Sequence, residues 1–430
     1  MDNADTIFAL SSGAPPAAIA VVRISGSQAL SAVKQLVGML PPARRASMRR
    51  LVNSDGVILD DALVVIFPGP STATGEDLAE LHLHGGRAVI RAVESALEVT
   101  SSIRRAEPGE FTRRAFLNGR MDLNEAEGLA DLLAAETEWQ RRSAVQMAGG
   151  AFSTAVEGWR EDLLGVSATV EALLDFSDED DVSPEENVDI STRCLKLNDV
   201  IQRHLSVPEA QKLYDGLRVV IAGPPNSGKS TLLNALVSRE AAIVSDIAGT
   251  TRDLIDVPVA FDGIPFVLTD TAGLRHDTKD EIESIGIGRA EAAIAAADIV
   301  LWLGVESKGP AHANSLEIEA KSDDPSHVAK SPSSLKVSAK TKDGLAVLIQ
   351  RLTAIGKTLL PPLDSFAMNA RQTALLTDTA RSLAVAAHAP DLLVTAEELR
   401  QARLSLDALT GRASTEDMLD TLFGRFCIGK

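Results

Sequence analysis

The spacing of apolar positions changes twice along the chain. Over residues 1–120, short apolar runs alternate with turns. Ala18-Ile19-Ala20-Val21-Val22, Leu63-Val64-Val65-Ile66-Phe67 and Leu78 to Leu83 read as strands, with helical spacing between them at Gln28 to Val37 and Ala88 to Leu97. This mixture predicts an α+β domain. From Asn124 the period lengthens: Leu129, Leu132 and Leu133, then Val145, Val156, Leu163 and Leu164, then Val170, Leu173 and Leu174, recur at helical spacing. An acidic run from Asp175 to Asp189, broken by Pro184, interrupts this pattern, and Arg193 to Leu213 resumes it.

A third texture follows. Leu217, Val219, Val220, Ile221 and Ala222 form an apolar run suited to a buried parallel strand. Phe266 to Asp270 and Leu335 to Val337 read as further strands. Ser315 to Glu319 is a poor one, with only Leu316 and Ile318 apolar. Pro361-Pro362 closes this segment, and residues 371–388 and 395–410 are helical again, with Pro390 between. The simplest account is a multidomain α/β chain: an α+β domain (1–120), a discontinuous helical bundle (121–212 and 363–430), and a parallel-sheet nucleotide domain inserted between its halves (213–362).

The inserted segment carries the chemistry. Gly223-Pro224-Pro225-Asn226-Ser227-Gly228-Lys229-Ser230 is a phosphate-binding loop between a strand and a helix that begins near Thr231. Its glycines let backbone N–H groups surround phosphate oxygens, and Lys229 reaches the β and γ phosphates. Ser230 offers a hydroxyl to Mg²⁺, and the helix dipole faces the anion. Gly249-Thr250-Thr251-Arg252-Asp253 follows, with Thr251 placed to reach Mg²⁺ when a γ-phosphate is present. Asp270-Thr271-Ala272-Gly273 then supplies a carboxylate behind the metal and a backbone N–H for that phosphate. Both segments suit ordering on triphosphate binding and release after hydrolysis.

Ser338-Ala339-Lys340 fits the loop that backs a guanine ring. The guanine-reading motif, ordinarily Asn-Lys-x-Asp, stands as Ala320-Lys321-Ser322-Asp323. Asp323 can accept from the ring N–H and amino group, and Lys321 can cover the ring. The absent amide costs on the order of 1–3 kcal/mol, one buried hydrogen bond. Leu274 follows Gly273 where a Ras-like enzyme has a water-orienting Gln. Glu283 downstream is the candidate for that task; a solvated carboxylate at a helix start is its alternative reading. Asn226 offers an amide oxygen beside the phosphates where a monovalent cation can take the place of an arginine finger.

Net charge is −18, which does not advertise RNA binding. Residues 1–120, however, hold 13 Lys and Arg against 12 Asp and Glu. Within them Arg44-Arg45, Arg49-Arg50, Arg104-Arg105 and Arg113-Arg114 read either as phosphate contacts or as dispersed surface charge. One Tyr and three Trp argue against an aromatic base-stacking platform. Two cysteines, Cys194 and Cys427, cannot make a disulfide framework. The opening residues lack the pattern of an export signal, and no run of about 18 apolar residues exists to span a membrane. A cytoplasmic enzyme is expected. In Ala79-Glu80-Leu81-His82-Leu83-His84, strand alternation puts Glu80, His82 and His84 on one face. A solvated face, a His-x-His metal pair and a ligand pocket are all open readings.

Gly223 to Thr231, Gly249 to Asp253 and Asp270 to Arg275 resemble the bacterial translational GTPases related to Era. Asp5 to Ala9, Arg23 to Gly26, Thr74 to Asp77, His84-Gly85-Gly86, Pro108 to Gly119 and the terminal Cys427-Ile428-Gly429-Lys430 resemble the tRNA wobble-uridine modification GTPase family of the MnmE/TrmE type. The resemblance runs from end to end. It implies a GTP-hydrolysing, K⁺- and Mg²⁺-dependent enzyme. With a flavin-dependent partner, such an enzyme builds an aminomethyl or carboxymethylaminomethyl group on C5 of wobble uridine in tRNA. The carbon comes from 5-formyl- or methylene-tetrahydrofolate. The family forms homodimers, and with the partner protein heterotetramers or larger complexes.

By residue match, Asn226, Ser227, Gly228, Ser245, Asp246, Ile247, Ala248, Gly249, Thr250, Asp270 and Thr271 surround GTP. Asn226, Ser245, Ile247 and Thr250 hold K⁺, while Ser230 and Thr251 hold Mg²⁺. Glu283 and Lys229 act in hydrolysis, and Arg23, Glu80, Arg120 and Lys430 bind folate. Two other classes compete: an Era-like ribosome-assembly GTPase, and a folate-dependent transferase for a small molecule regulated by GTP.

Overall fold

A computed structural model describes residues 5–99, 103–175, 184–239, 256–271, 290–325, 327, 329–331, 334–413, 416–424, 426 and 428–429. The chain divides into two compact units, one of residues 1–130 with 407–430, the other of residues 131–406.

The first unit is built on a six-stranded sheet. In chain order its elements are β1 (Thr6–Leu10), β2 (Ile19–Ser25), α1 (Ala29–Val37), β3 (Ser47–Val52), β4 (Ile58–Phe67), β5 (Leu78–His84), α2 (Arg87–Glu98), β6 (Ile103–Arg105) and α3 (Glu110–Leu117). The strand order is β3-β4-β5-β2-β1-β6. All pairs are antiparallel except β1 with β6. Alternation sorts the side chains. Phe8, Val22, Ile24, Leu81 and Leu83 face α1 and α2, whose Val33, Leu36, Val93 and Leu97 complete the core. The opposite face carries Ile7 and Ala9 with Phe111 of α3, and also Arg23 and Glu80, which pair across β2 and β5.

Charge is buried beside that second face. The Arg114 side chain is 5% exposed and meets Asp5 at 2.7 Å, Glu110 at 2.9 Å and Glu76 at 3.2 Å. Arg104 joins the same cluster through Asp5 and Glu110. Burial works to raise the carboxyls of Asp5 and Glu110, yet the guanidiniums hold both below their ordinary range. Several arginine doublets are therefore structural. Arg50 pairs with Asp61, Arg105 with Glu94 and Glu98, and Arg113 with Asp420. Arg44 and Arg49 instead donate to the backbone carbonyls of Ser71 and Met48.

The second unit opens within α4 (Leu123–Ala134) and continues through α5 (Glu138–Ala148), α6 (Ala151–Asp175), α7 (Pro184–Leu205) and α8 (Gln211–Asp215). Thr137 starts α5 with a reciprocal capping box to Gln140. Pro184 does not break a helix; it begins one, at the position where a missing N–H costs nothing. The helix expected to run to Leu213 stops at Leu205 and restarts as α8.

A second six-stranded sheet follows: β7 (Leu217–Ala222), α9 (Lys229–Arg239), β8 (Asp256–Phe261), β9 (Ile264–Asp270), α10 (290–295), β10 (Ile299–Trp302), β11 (Ser315–Ala320), β12 (Leu335–Val337) and α11 (Leu345–Leu359). Its order is β12-β11-β10-β7-β9-β8. Every pair is parallel except the β8–β9 hairpin. This is the expected α/β nucleotide fold. β11 is a complete strand despite its two glutamates, paired to β10 and β12.

The chain then returns to helix with α12 (Ala370–Ala387) and α13 (Leu392–Thr410), while α14 (Glu416–Phe423) belongs to the first unit. α12 packs along α7, and Ser191 Oγ donates to the Ala387 carbonyl at 2.7 Å. Helices from before and after the second sheet thus share one bundle. Phe366, on the returning segment, stacks on His204 at 5.1 Å and meets Phe152 at 5.1 Å.

Replacing Arg114 with Met should cost about 3–5 kcal/mol, because three carboxylates lose a buried counter-charge. The depressed carboxyls stabilise the fold above their unfolded values, 3.8 for Asp5 and 4.5 for Glu110. That contribution fades as pH falls through the lower folded values. Urea midpoints measured from pH 6 to pH 2 should therefore drop more steeply for the wild-type chain than for Arg114→Met.

Candidate functional site

β7 is flanked by β9 and β10 and ends in the phosphate loop. Loops beyond the carboxyl ends of parallel strands are where such sheets bind ligands. The loop backbone has the required turns. Gly223 and Gly228 adopt φ of 152° and 98°, and Asn226 is left-handed at 60°. A Cβ on Gly223 would lie 3.1 Å from Ser227 Oγ and 3.2 Å from the Gly304 nitrogen, so the loop has no room for a side chain there.

Lys229 folds back along the loop. Its Nζ donates to the carbonyls of Gly223 and Pro224 at 3.1 and 2.9 Å. Ser230 Oγ donates to the carboxylate of Asp270, which is 5% exposed. Thr271 Oγ1 donates to the Ile221 carbonyl at 3.0 Å, tying the end of β9 to β7. A hydroxyl and a carboxylate in contact form a hard-oxygen donor set that suits Mg²⁺.

A cavity of ≈ 250 Å³ lies beside the loop, lined by Gly228, Thr231, Leu232, Ala320, Lys321, Asp323, Asp324, Val337, Ala339 and Lys340. The sequence motifs assigned to guanine recognition therefore converge on one pocket. Lys321 Nζ donates to the Asn226 carbonyl at 2.6 Å. Ser338 Oγ donates to Asp323 Oδ1 at 2.6 Å and holds that carboxyl below its ordinary range. An ionised Asp323 carboxylate offers only acceptors at this wall. Ala320 contributes no polar group to this wall.

Ser245, Asp246, Ile247, Ala248, Gly249, Thr250, Thr251, Ala272, Gly273 and Glu283 lie outside the described residues, as does Lys430.

The folate candidates fall on the first unit. Arg23 donates through Nε and Nη2 to Glu80 Oε1, at 3.2 and 2.9 Å, and His82 Nε2 lies 3.4 Å from Glu80 Oε2. Arg23 also sits over the Phe111 ring at 5.9 Å. Arg120 is engaged elsewhere, donating to the Thr72 carbonyl at 3.1 Å. The chain end reaches the same sheet: Ile428 bridges Pro108, and Ser11 Oγ donates to the Gly429 carbonyl at 2.8 Å. His84 parts from its strand neighbours and pairs with Asp60 at 2.7 Å. Among the described residues, no group of three or more His, Cys, Asp or Glu side chains is arranged to hold a metal.

Sequence reasoning missed Ser25, whose Oγ contacts Thr74 at 2.7 Å and Glu76 at 2.8 Å beside the Arg114 cluster. It also missed Glu319, buried on β11 beside Ala320, which lines the cavity beside the phosphate loop. The only hint was a pair of glutamates flanking Ile318, with lysines at positions 330 and 336 downstream.

The sequence matches two family descriptions: GTP-binding protein TrmE N-terminus over residues 6–120, and MnmE helical domain over residues 123–427. The protein of Erythrobacter litoralis named tRNA modification GTPase MnmE is 58% identical over 429 residues, spanning 99% of this chain and 100% of that protein. Its namesake in Novosphingobium aromaticivorans is 54% identical over 435 residues, across 99% of this chain and 100% of the relative. Among solved structures, the G domain of the T. maritima FeoB iron transporter matches at a TM-score of 0.24 and 19% identity. That match covers 32% of this chain and 98% of that one, and it adds nothing to the strand order described above.

Lys229→Ala should lower GTP turnover by about 10²-fold or more, since it removes a charged donor aimed at developing negative charge. Phosphate release from GTP measures it, with the melting temperature unchanged as the sign that the fold survives.

Proposed function

The chain belongs to the tRNA modification GTPase MnmE family, and from that premise we propose a K⁺-assisted GTPase that drives one-carbon chemistry on wobble uridine. Segments 1–120, 121–212, 213–362 and 363–430 are its folate-binding and dimerising domain, first helical part, GTPase domain and second helical part. The observation that carries this reading is the pairing of two sites in one chain. One is a phosphate loop with an adjoining guanine pocket, and the other is the Arg23–Glu80–His82 cluster on a separate sheet.

In the GTPase domain, Lys229 binds the β and γ phosphates, and Ser230 and Thr251 hold Mg²⁺ with Asp270 behind them. Mg²⁺ bound there offsets charge on the β and γ oxygens. Asn226, Ser245, Ile247 and Thr250 hold K⁺, of which Asn226 is the member among the described residues. Glu283 orients the attacking water. Lys321, Asp323, Ser338, Ala339 and Lys340 select guanine.

In the folate domain, Glu80 accepts hydrogen bonds from the pterin ring of 5-formyl- or methylene-tetrahydrofolate. Arg23, Arg120 and Lys430 meet its anionic parts, as cations suit carboxylates. Arg23 already donates to Glu80, so ligand binding shares or exchanges that pair. The working assembly is a cytoplasmic homodimer joined by a flavin-dependent partner protein, with tRNA as substrate. Among the described residues, no helix is long and apolar enough to cross a membrane.

GTP hydrolysis should run at least about tenfold faster in K⁺ than in Na⁺ at matched ionic strength, the electrostatic worth of one well-placed cation being a few kcal/mol. Asn226→Ala should erase the difference. Equal rates in the two salts for the wild-type chain would contradict the K⁺ assignment.

A further inference from the structure

Glu319 lies on β11 next to Ala320, and its side chain is 0% exposed. A buried carboxylate is costly unless it is paired and hydrogen-bonded on every side. Here it is. Oε2 accepts the Lys330 backbone N–H at 2.9 Å. Oε1 lies 3.1 Å from His327 Nε2 and 3.5 Å from Lys336 Nζ on β12. The carboxyl is held below its ordinary range, by the Lys330 N–H foremost.

His327 carries this anchor toward the nucleotide pocket. Its backbone N–H and its Nδ1 both turn to the Asp324 carbonyl, at 3.0 and 2.8 Å. Asp324 in turn donates its N–H to the Lys321 carbonyl at 2.9 Å. The turn that presents Asp323 is therefore linked to Glu319 through the two nitrogens of the His327 ring. Ala320, the neighbour where the family motif has an amide, has no side-chain group to brace the turn or to meet the base.

We propose that Glu319 and His327 are positioning residues for guanine recognition, holding the Asp323–Asp324 turn so that the Asp323 carboxylate meets the ring N–H and exocyclic amino group. The proposal rests on Asp323 being the guanine reader, as set out under Proposed function. It assigns to a buried ion cluster the orienting work that Ala320 cannot do.

Binding of GDP and IDP to the full-length protein tests it, because inosine lacks the exocyclic amino group. Asp323→Ala checks the premise: the wild-type preference for GDP over IDP should vanish. Glu319→Gln and His327→Gln should each weaken GDP by about tenfold, the scale of one charge-assisted hydrogen bond, and weaken IDP by about threefold or less. The GDP-to-IDP preference then shrinks while Lys229 still holds phosphate. His327 is partly exposed, so its variant guards against a folding defect in Glu319→Gln. Equal weakening of both nucleotides, with the preference intact, would make the cluster merely structural and overturn the proposal. An unchanged preference in Asp323→Ala would overturn the premise as well, and is distinguishable from the first failure.

Discussion

The parallel hydrogen bonding of β7 to β9 on one side and β10 on the other fixes where this protein can hold a phosphate. Val219, Val220, Ile221 and Ala222 are all buried, and each is in register with a residue of β10. The strand cannot slip without breaking its ladders to β9 and β10 together. Its carboxyl end therefore delivers the loop at Gly223, while β9 delivers Asp270 and Thr271 to the same level. The Ser230–Asp270 contact and the Thr271 bond to Ile221 follow from that register. The cavity beside the loop is set by the same frame, at the ends of β11 and β12, two and three strands further along.

The inserted sheet is joined to its helical surroundings by a small set of specific contacts. The Trp139 N–H donates to the Gly263 carbonyl in the turn of the β8–β9 hairpin at 3.0 Å, and its indole donates to Pro361 at 3.3 Å. Gln140 Nε2 reaches the Leu213 carbonyl at 2.9 Å, and the Ala210 N–H reaches Met368 at 3.0 Å. Both chain passages into and out of the sheet are thus pinned to the bundle. The β8–β9 hairpin lies in sequence between the two segments expected to respond to the γ-phosphate.

Much of this was legible in the sequence, and the failures share a cause. The phosphate loop, the strand runs and α12 depend on local spacing, and so did the shared face of Glu80 and His82. The arginine doublets stayed open between two readings because a charge in sequence carries no information about its partner. Asp5, Glu76 and Glu110 reach Arg114 only through the fold. Pro184 was read as a breaker because the chain before it does not reveal that a helix starts there. β11 looked poor because Glu319 reads as polar, whereas the topology brings the Lys336 ammonium and the Lys330 backbone N–H to its carboxylate. Arg120, grouped with Arg23 by the resemblance, donates to the Thr72 carbonyl in the structure.

The central claim is that nucleotide hydrolysis in the inserted sheet powers chemistry housed on the other unit. Mass spectrometry of wobble uridines measures this most directly, in cells lacking the chromosomal copy and supplied with either the wild-type chain or Lys229→Ala. The account predicts full modification with the first and unmodified C5 with the second, at equal protein levels. Normal modification with Lys229→Ala would contradict it.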